Sequence, residues 1–422
     1  MTKPVRDRVD GERLWSRLMA MAAVAPTVNG GNNRQALSDD DAAGRALFRG
    51  WAEAAGCDAE LDEIGNLFVR RPGTDADADP VLIGSHLDTQ PTGGRFDGVY
   101  GVLGGFEVIE RLNDLGERTE RPIEVAVWTN EEGSRFQHSM MGSGVWAQKL
   151  PLAHAEKLAD VDGITVGAEL DRLGWRGPRA AEPRPYAASF ELHIEQGPIL
   201  EDEAVEIGVV TGVQGLRWFT LQLDGFPAHA GPTPMTGRRD PAKAIASIIK
   251  RVYEVVDSCA PWGRGTFAQF ASSPVSPNTI PEQLTCTLDL RHPEADVLND
   301  MEQRMRAIVD DVAASTGVGA NVTLENDSPP VAFDAACIGA VQTSVNNLGF
   351  SNREMVSGAG HDACYVALHC PTSMIFVPCD DGLSHNEAEN IEPIQAEQGA
   401  SVLLGAVRQM ARLDSNLGGR SR

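Results

Sequence analysis

The chain has 422 residues, a length that suggests two domains, and carries a formal net charge of -24 at pH 7. The acidic balance argues against a nucleic-acid partner, because a phosphate backbone requires a basic surface. No apolar run approaches the roughly 20 residues of a membrane helix, and the charged start resembles no signal peptide, so we expect a cytoplasmic protein that does not enter a membrane.

The first half of the chain alternates helix and strand signals. Apolar residues recur at helical spacing in the segments 11–24, 40–55 and 98–115. Strand patterns occupy 81–85, 123–129 and 189–195. Asp39 and its acidic neighbours are predicted to cap the second helix. Strands that alternate with helices indicate an α/β layer with a largely parallel sheet.

A compact α+β module is predicted in the middle of the chain, beginning near Val213. Its strand patterns lie at 217–225, 283–291 and 321–325, and its helical patterns at 241–256 and 297–315. The α/β pattern then resumes with a helix at 335–348, a strand at 373–377 and a helix at 394–413. We therefore expect a discontinuous main domain, 1–212 and 331–422, interrupted by an inserted domain at 213–330. The tail after Leu413 is expected to fray.

Two adjacent carboxylates, Glu131 and Glu132, follow the apolar run at 123–129 and precede a glycine. In α/β enzymes the carboxyl ends of strands present catalytic groups. Adjacent side chains on an extended segment point in opposite directions, so one carboxylate could hold a metal ion while its neighbour handles a proton. Most such pairs are simply solvated surface residues, and the pair alone leaves both interpretations open.

Histidines and carboxylates elsewhere favour the metal interpretation. His86, Asp97, His193 and His385 each lie near a strand end or a glycine turn. Asp88 follows His86 by two residues and could accept the imidazole N–H that points away from a metal. Taken singly, each histidine is more often structural than ligating. Together with Glu132 they supply three imidazoles and two carboxylates, enough for two divalent ions that share one carboxylate.

The types of ligand atom narrow the possible metals but do not identify a single one. Nitrogen and carboxylate donors suit Zn²⁺, Mn²⁺, Co²⁺ or Ni²⁺. The seven cysteines are scattered and form no Cys-x-x-Cys pair, so they are interpreted as reduced thiols.

Binding of a small anion requires a local cation, because the net charge repels anions at long range. Arg291 ends the alternating segment 283–291 and could grip a carboxylate with two parallel hydrogen bonds. An arginine at the end of a strand is usually just solvated, so Arg291 alone does not establish an anion-binding site.

A series of motifs runs in fixed order from residue 84 to 387. They are Gly84-Ser-His-Leu-Asp-Thr, Gly93-Gly-Arg-Phe-Asp-Gly, Thr129-Asn-Glu-Glu-Gly-Ser-Arg-Phe, Glu191-Leu-His-Ile-Glu-Gln-Gly-Pro, His229-Ala-Gly-Pro-Thr-Pro-Met, Pro277-Asn-Thr-Ile-Pro, Leu288-Asp-Leu-Arg-His-Pro, Ser357-Gly-Ala-Gly-His-Asp-Ala and Ser384-His-Asn-Glu. With these motifs the chain resembles the carbamoylase branch of the dinuclear-metal aminoacylase/carboxypeptidase family. That branch holds N-carbamoyl-L-amino acid hydrolases, allantoate amidohydrolases and β-ureidopropionases.

The resemblance implies a metal centre. His86 and His193 would bind one ion, Glu132 and His385 the other, and Asp97 would bridge the two. Glu131 would be the general base, with Asp88 and His361 supporting the ligands from behind. Peptidase relatives tend to carry a carboxylate where His193 stands, so the histidine favours the carbamoylase branch.

The resemblance also implies a substrate pocket and a homodimer. The inserted domain would be a ferredoxin-like lid and dimerisation domain, from which His229 reaches the active site of the partner subunit and donates to the developing oxyanion. Arg291 would bind the carboxylate of a small anionic ureido substrate. The remaining pocket residues would be Gln196, Gln214, Asn278, Gly358 and Gly360. Departures from the family pattern at Thr92, Tyr100, Pro232 and 386–389 blur the choice of substrate.

We therefore predict a metal-dependent amidohydrolase that removes a terminal carbamoyl or ureido group from a small carboxylate, such as an N-carbamoyl-L-amino acid or allantoate, and releases ammonia and CO₂. One alternative is a peptidase or N-acyl-amino acid hydrolase on the same scaffold. The other is a catalytically inactive, metal-dependent binding protein.

Overall fold

The computed structural model describes residues 7–413, so the expectation for the tail after Leu413 lies outside the described range. The chain divides into two compact units, which we call the discontinuous unit, Met1–Gly212 with Ala332–Arg422, and the inserted unit, Val213–Val331. Among the described residues, no helix combines the length and apolar character required to cross a bilayer.

The strands, in chain order, are β1 Asp58–Leu61, β2 Leu67–Arg71, β3 Val81–His86, β4 Ile123–Trp128, β5 Ala188–Ile194, β6 Ile207–Val213, β7 Gly215–Asp224, β8 Ala228–His229, β9 Arg264–Ser273, β10 Thr279–Ile280, β11 Gln283–His292, β12 Gly319–Ser328, β13 Val331–Ala332, β14 Asn352–Ser357 and β15 Thr372–Val377. The α-helices are α1 Gly11–Ala22, α2 Asp39–Ala54, α3 Val99–Asp114, α4 Met141–Trp146, α5 Leu152–Ala155, α6 Val166–Leu173, α7 Ile199–Asp202, α8 Pro241–Asp257, α9 Ala295–Thr316, α10 Ala335–Leu348, α11 Ala363–Val366 and α12 Pro393–Met410.

A mixed sheet forms the centre of the discontinuous unit, with strand order β1-β2-β4-β3-β5-β15-β6. Its middle is parallel, because β3 pairs in parallel with β4 and β5, and β15 pairs in parallel with β5. Every residue of these four strands is buried, as expected for a sheet covered on both faces. Because β3, β4, β5 and β15 run in the same direction, their carboxyl ends meet at one edge of the sheet, where ligands bind in such folds.

The second helix begins differently from the prediction. Ser38, not Asp39, is its N-cap, because the Ser38 side chain accepts a hydrogen bond from the Asp41 backbone N–H. Asp39 is the first residue of α2, and the acidic residues that follow lie in the first turn, where negative charge favours the helix dipole.

The inserted unit has a four-stranded antiparallel sheet in the order β12-β7-β11-β9. The apolar sides of α8 and α9 and the alternate residues of the sheet form its core. The chain order of these elements is β7-α8-β9-β11-α9-β12, the βαββαβ arrangement of ferredoxin-like folds. The sequence prediction omitted β9. Nearly all of its residues are exposed, so the segment lacks the apolar alternation that marks the other three strands.

Candidate metal centre

The five proposed metal ligands converge at the carboxyl edge of the parallel strands. His86 ends β3, and His193 lies near the end of β5. Asp97 precedes α3, Glu132 follows β4, and His385 lies in the loop that follows β15. Their ligand atoms form two groups, each within 4.8 Å: His86, Asp97 and His193 in one, and Asp97, Glu132 and His385 in the other. The two groups therefore share Asp97.

The two oxygens of Asp97 face different histidines. Oδ1 lies 3.1 Å from His193 Nε2 and 3.5 Å from His86 Nε2. Oδ2 lies 3.6 Å from His385 Nε2, which is itself 3.3 Å from Glu132 Oε2. A carboxylate that presents one oxygen to each of two ligand groups has the arrangement required of a bridging ligand.

The electrostatics of the cluster fit divalent cations. Burial, together with the nearby Asp97, raises the pKa of Glu132 to about 8. Burial also raises the pKa of Glu131 well above its usual range, with contributions from Asp362 and Glu132. Burial opposes protonation of His86, but the carboxylates around it, Glu131 foremost, hold its pKa well above the ordinary value. The cluster thus holds carboxylates that are too close to ionise together without protons or cations between them, and its nitrogen and oxygen donors are those that zinc and similar metals bind.

Backbone carbonyls orient two of the imidazoles. His86 Nδ1 lies 3.0 Å from the Asp88 carbonyl oxygen, and His193 Nδ1 lies 2.9 Å from the Ile194 carbonyl oxygen. A carbonyl accepts only, so each Nδ1 carries the proton, and each Nε2 lone pair faces Asp97 when the ring is neutral.

The prediction that the Asp88 side chain accepts the imidazole N–H of His86 is wrong. Its Oδ1 lies 4.0 Å from His86 Nδ1, and the backbone carbonyl of Asp88 takes the hydrogen bond instead. The carboxylate accepts the backbone N–H groups of Glu131 and Glu132 at 3.3 and 3.2 Å. Asp88 lies just beyond β3, where the alternation of a strand no longer directs its side chain, and it supports the acidic pair.

The acidic pair does not lie on an extended strand, contrary to the prediction. β4 ends at Trp128, and Asn130 has a φ of 56°. The Asn130 side chain stabilises this turn by donating to the carbonyls of Phe136 and His138 at 3.1 and 2.9 Å. The turn still separates the two carboxylates, because Glu131 Oε2 lies 3.6 Å from His86 Nε2 and Glu132 belongs to the group that contains His385.

Other polar residues that the sequence prediction omitted contact these ligands. Gln90 Nε2 donates to Glu132 Oε2 at 2.8 Å, and Ser384 Oγ donates to Asp97 Oδ2 at 2.7 Å. Glu389 accepts the backbone N–H groups of Phe96 and Asp97. Gln90 directly follows the motif that contains His86, and Ser384 is the first residue of the motif that contains His385, which was the available signal for them.

A further group of Glu191, His193 and His361 also lies within 4.8 Å, but its donor atoms are already engaged. Glu191 accepts from Ser85 Oγ and from the Ala363 backbone N–H, and His361 Nε2 lies 2.9 Å from Ser357 Oγ. Burial lowers the pKa of His361 well below its usual value. The centroid of the His361 ring lies 4.7 Å from that of His193, so this ring packs against the proposed ligand.

Gln196 lies beside the candidate metal centre. Its Nε2 donates to Asp97 Oδ2 at 2.8 Å and to Ser384 Oγ at 3.2 Å. Its Oε1 is buried and has no hydrogen-bond partner within residues 7–413. Gly358 and Gly360 lie in the loop between β14 and α11, which also contains His361.

The inserted unit carries the remaining proposed residues. His229 ends β8, and β8 pairs with β10 next to Asn278, whose amide nitrogen lies 3.3 Å from His229 Nε2. His229 Nδ1 accepts the Gly231 backbone N–H at 3.1 Å. Arg291 lies on β11, and Asp289 Oδ2 accepts from its Nη2 at 2.7 Å. Gln214 joins β6 to β7.

The family of the chain follows from comparison with known proteins. The model of peptidase family M20/M25/M40 matches residues 82–409, a range that contains all five proposed ligands and Glu131. The chain belongs to peptidase family M20/M25/M40. The expected α/β class with a largely parallel sheet is confirmed by this membership and by the strand pairing.

Relatives of this M20 chain have the names expected of the carbamoylase branch. It is 47% identical over 406 residues to an N-carbamoyl-L-amino-acid amidohydrolase of Rhizobium meliloti, covering 96% of this chain and 98% of the relative. It is 34% identical to an allantoate amidohydrolase of Escherichia coli, covering 90% and 93% of the two chains. A solved hydantoinase/carbamoylase family amidase from Burkholderia multivorans has a TM-score of 0.92 at 50% identity, covering 96% and 98%. The resemblance stated from the motifs is confirmed.

Proposed function

We propose that this protein is a two-metal amidohydrolase that removes a terminal carbamoyl group from a small ureido carboxylate. The observation that carries the proposal is the pair of ligand groups that share Asp97, with Glu131 beside them. The names of the Rhizobium and Escherichia relatives support the substrate class. One water is consumed: the ureido C–N bond breaks, the amine leaves, and the carbamic acid formed decomposes to ammonia and CO₂.

Five side chains would hold the ions. His86 and His193 would bind one, Glu132 and His385 the other, and Asp97 both. When bound, such a pair of ions polarises the ureido carbonyl and makes water nucleophilic at neutral pH. Their identity, among zinc, manganese, cobalt and nickel, is left open by a donor set of nitrogen and oxygen.

Glu131 is the proposed general base. Its carboxylate belongs to neither ligand group, yet it lies 3.6 Å from His86 Nε2. From this position it would take the proton of the attacking water and deliver it to the leaving nitrogen, a role that typically contributes about 10²–10⁴-fold to a rate. The Asp88 carboxylate supports this role, because it holds the Glu131 backbone.

Gln196 favours a ureido substrate over an N-acyl one. Its amide nitrogen is engaged by Asp97, so its buried Oε1 must point elsewhere as an acceptor. The terminal NH₂ of a carbamoyl group can donate to that oxygen, whereas the methyl group of an N-acetyl substrate cannot. A buried acceptor left unpaired discriminates strongly against an analogue that lacks the donor.

Arg291 is the proposed anchor for the substrate carboxylate. It presents a guanidinium fork that Asp289 already engages through Nη2 and Nε. Asp289 thereby fixes the orientation of the guanidinium, and a guanidinium is the cation whose geometry matches a carboxylate. Gln214, Asn278 and the backbone at Gly358 and Gly360 would complete the pocket.

We further propose a homodimer in which the inserted unit serves as lid and dimerisation domain and His229 acts in the partner's active site. The imidazole N–H of a histidine is a suitable donor to a developing oxyanion. In support of a dimer, β9 is a ten-residue edge strand whose outer side has no partner strand among the described residues. Phe270 on this strand is 54% exposed, as expected for an edge that a second chain covers.

We propose a cytoplasmic location. All seven cysteines are free, and five of them are buried, which fits a reducing compartment.

A panel of substrates tests the function against its rivals. Metal-loaded protein should release ammonia from N-carbamoyl-L-amino acids or from allantoate, and should be much slower with N-acetyl-amino acids and dipeptides. Turnover confined to the last two classes would favour the peptidase or aminoacylase alternative. No turnover of any class would favour a binding protein without chemistry, which the intact Glu131 argues against.

A further inference from the structure

Glu389 is a fully buried carboxylate that no step of the proposed reaction uses. It is 0% exposed. Its Oε1 accepts two consecutive backbone N–H groups, that of Phe96 at 2.9 Å and that of Asp97 at 3.0 Å. These two residues precede Gly98, the N-cap of α3. The backbone of Asp97 is thus held by a side chain that lies 292 positions later in the chain.

The second oxygen of the same carboxylate faces the other proposed ion site. Oε2 lies 3.3 Å from Ser384 Oγ, and Ser384 Oγ donates to Asp97 Oδ2 at 2.7 Å. Ser384 directly precedes His385. Glu389 thus binds the backbone of Asp97 and lies against Ser384, the residue that donates to the Asp97 side chain and precedes His385.

The packing around Glu389 is built for a carboxylate at this position. A Cβ on Gly94 would lie 2.0 Å from Glu389 Cδ and 2.1 Å from its Oε1. Only a glycine at residue 94 lets the carboxylate approach the turn that ends at Asp97. The two N–H groups of this turn are buried and would lose their acceptor if the carboxylate were displaced.

We propose that Glu389 is a positioning residue that holds Asp97 in place, so that the two ion sites form or fail together. The inference rests on the proposed two-metal function. It follows because Asp97 is the one residue common to both ligand groups, and Glu389 contacts its backbone directly and its side chain through Ser384.

A matched pair of variants separates hydrogen bonding from space filling. In Glu389→Gln the amide oxygen can still accept both N–H groups, whereas Glu389→Met fills similar space without an acceptor. Titration of metal-free protein with zinc ions measures the affinity and the number of ions bound. We expect Glu389→Met to bind both ions about 10- to 100-fold more weakly, the usual effect of losing a partner behind metal ligands. Glu389→Gln should stay within a few-fold of the wild-type protein.

Two controls make the result specific. Glu132→Gln should lose one ion and keep the other, in contrast to Glu389→Met. Asn390 accepts from Arg95 Nη2 at 2.9 Å and so joins the same two segments without contacting Asp97; Asn390→Ala should keep both ions at wild-type affinity. If Glu389→Met does not fold, Gly94→Ala displaces the carboxylate by steric contact and should produce the same joint loss.

Wild-type affinity for both ions in Glu389→Met or in Gly94→Ala would overturn the inference, as would a Glu389→Gln variant as weak as Glu389→Met. The metal affinities are measured without substrate, so this test does not depend on whether the protein hydrolyses ureido compounds. A wild-type protein that binds two ions without hydrolysing ureido substrates would remove the proposed function and leave the role of Glu389 in place.

Discussion

Glu131 and Glu132 are neighbours in the chain, yet their carboxylates face different histidines. Glu131 Oε2 lies 3.6 Å from His86 Nε2, and Glu132 Oε2 lies 3.3 Å from His385 Nε2. The left-handed turn at Asn130 precedes the pair, and the Asp88 carboxylate accepts both of their backbone N–H groups. Only Glu132 belongs to a ligand group, which is the basis for assigning a metal to one carboxylate and a proton to the other.

Replacing Gln196 should alter the choice between ureido and acyl substrates. Gln196→Met keeps the length of the side chain but removes the buried acceptor Oε1, which concerns the ureido substrate, and the Nε2 donor to Asp97, which concerns every substrate alike. We expect kcat/KM for an N-carbamoyl amino acid to fall by about 10- to 100-fold, equivalent to one buried hydrogen bond. The N-formyl amino acid lacks the terminal NH₂ and serves as the internal control. If kcat/KM falls equally for the N-carbamoyl and the N-formyl substrate, Gln196 Oε1 does not accept from the terminal NH₂.

Arg291 should govern affinity for the substrate carboxylate. Arg291→Lys keeps the charge but loses the fork, so KM should rise by about 10-fold or more while kcat changes less. Arg264 is the matched control, because it lies opposite Arg291 on β9 and donates to the carbonyls of Pro261 and Gly263. Steady-state kinetics of Arg264→Lys should resemble those of the wild-type protein. An unchanged KM in Arg291→Lys would exclude it as the anchor.

The convergence of the five proposed ligands could be predicted because the information for it is local. His86, Asp97, Glu132, His193 and His385 each lie in a short motif next to a strand end, and parallel strands bring such ends to one edge. The long helices were predictable for the same reason, since their apolar spacing is visible in the sequence. Helix α10, for example, has the predicted bounds 335–348.

Features that depend on long-range contacts could not be predicted. Glu389 acts on Asp97 across almost the entire discontinuous unit, and no local pattern links the two residues. Strand β9 was missed because an exposed edge strand need not alternate, and the Asp88 side chain was misassigned because it lies beyond the end of its strand. Each of these errors concerns a residue whose role is set by neighbours distant in sequence.

The metal-free protein should lose stability as pH rises from 6.5 to 8. Folding raises the pKa of Glu132 from 4.5 to about 8, and the pKa values of Glu389 and Asp62 to about 7, chiefly through burial. The folded state therefore retains protons that the unfolded state has released, so the free energy of unfolding falls with pH, by about 3 kcal/mol over this window. The raised pKa values of His86 and His193 act in the same direction.

Calorimetry of the chelator-treated protein checks this dependence. The lowered pKa of His361 acts below pH 6.5, outside the window. Glu132→Gln should make the free energy of unfolding depend less on pH, because it removes the carboxylate whose pKa, about 8, is higher than that of Glu389, about 7. If the thermal unfolding midpoint of the metal-free protein stays constant or rises between pH 6.5 and 8, the result would contradict the crowding of carboxylates in the cluster.

Hybrid dimers should reveal whether His229 acts across the interface. His229→Ala and Glu131→Gln should each be nearly inactive alone. If His229 serves the partner's site, a hybrid dimer has one intact site, so random mixing should restore about a quarter of wild-type activity. Mixing after unfolding and refolding the two variants together provides the assay. No recovery in verified hybrids would place His229 within its own subunit's site or outside the reaction.

The division of labour between the two adjacent glutamates is tested most directly by measuring bound metal and ammonia release in the same samples of Glu131→Gln and Glu132→Gln. We predict that Glu131→Gln retains two ions per subunit while release of ammonia from an N-carbamoyl-L-amino acid falls by at least about 10²-fold. Glu132→Gln should lose one ion together with activity. A Glu131→Gln protein that turns over normally, or one that loses its ions, would contradict the account.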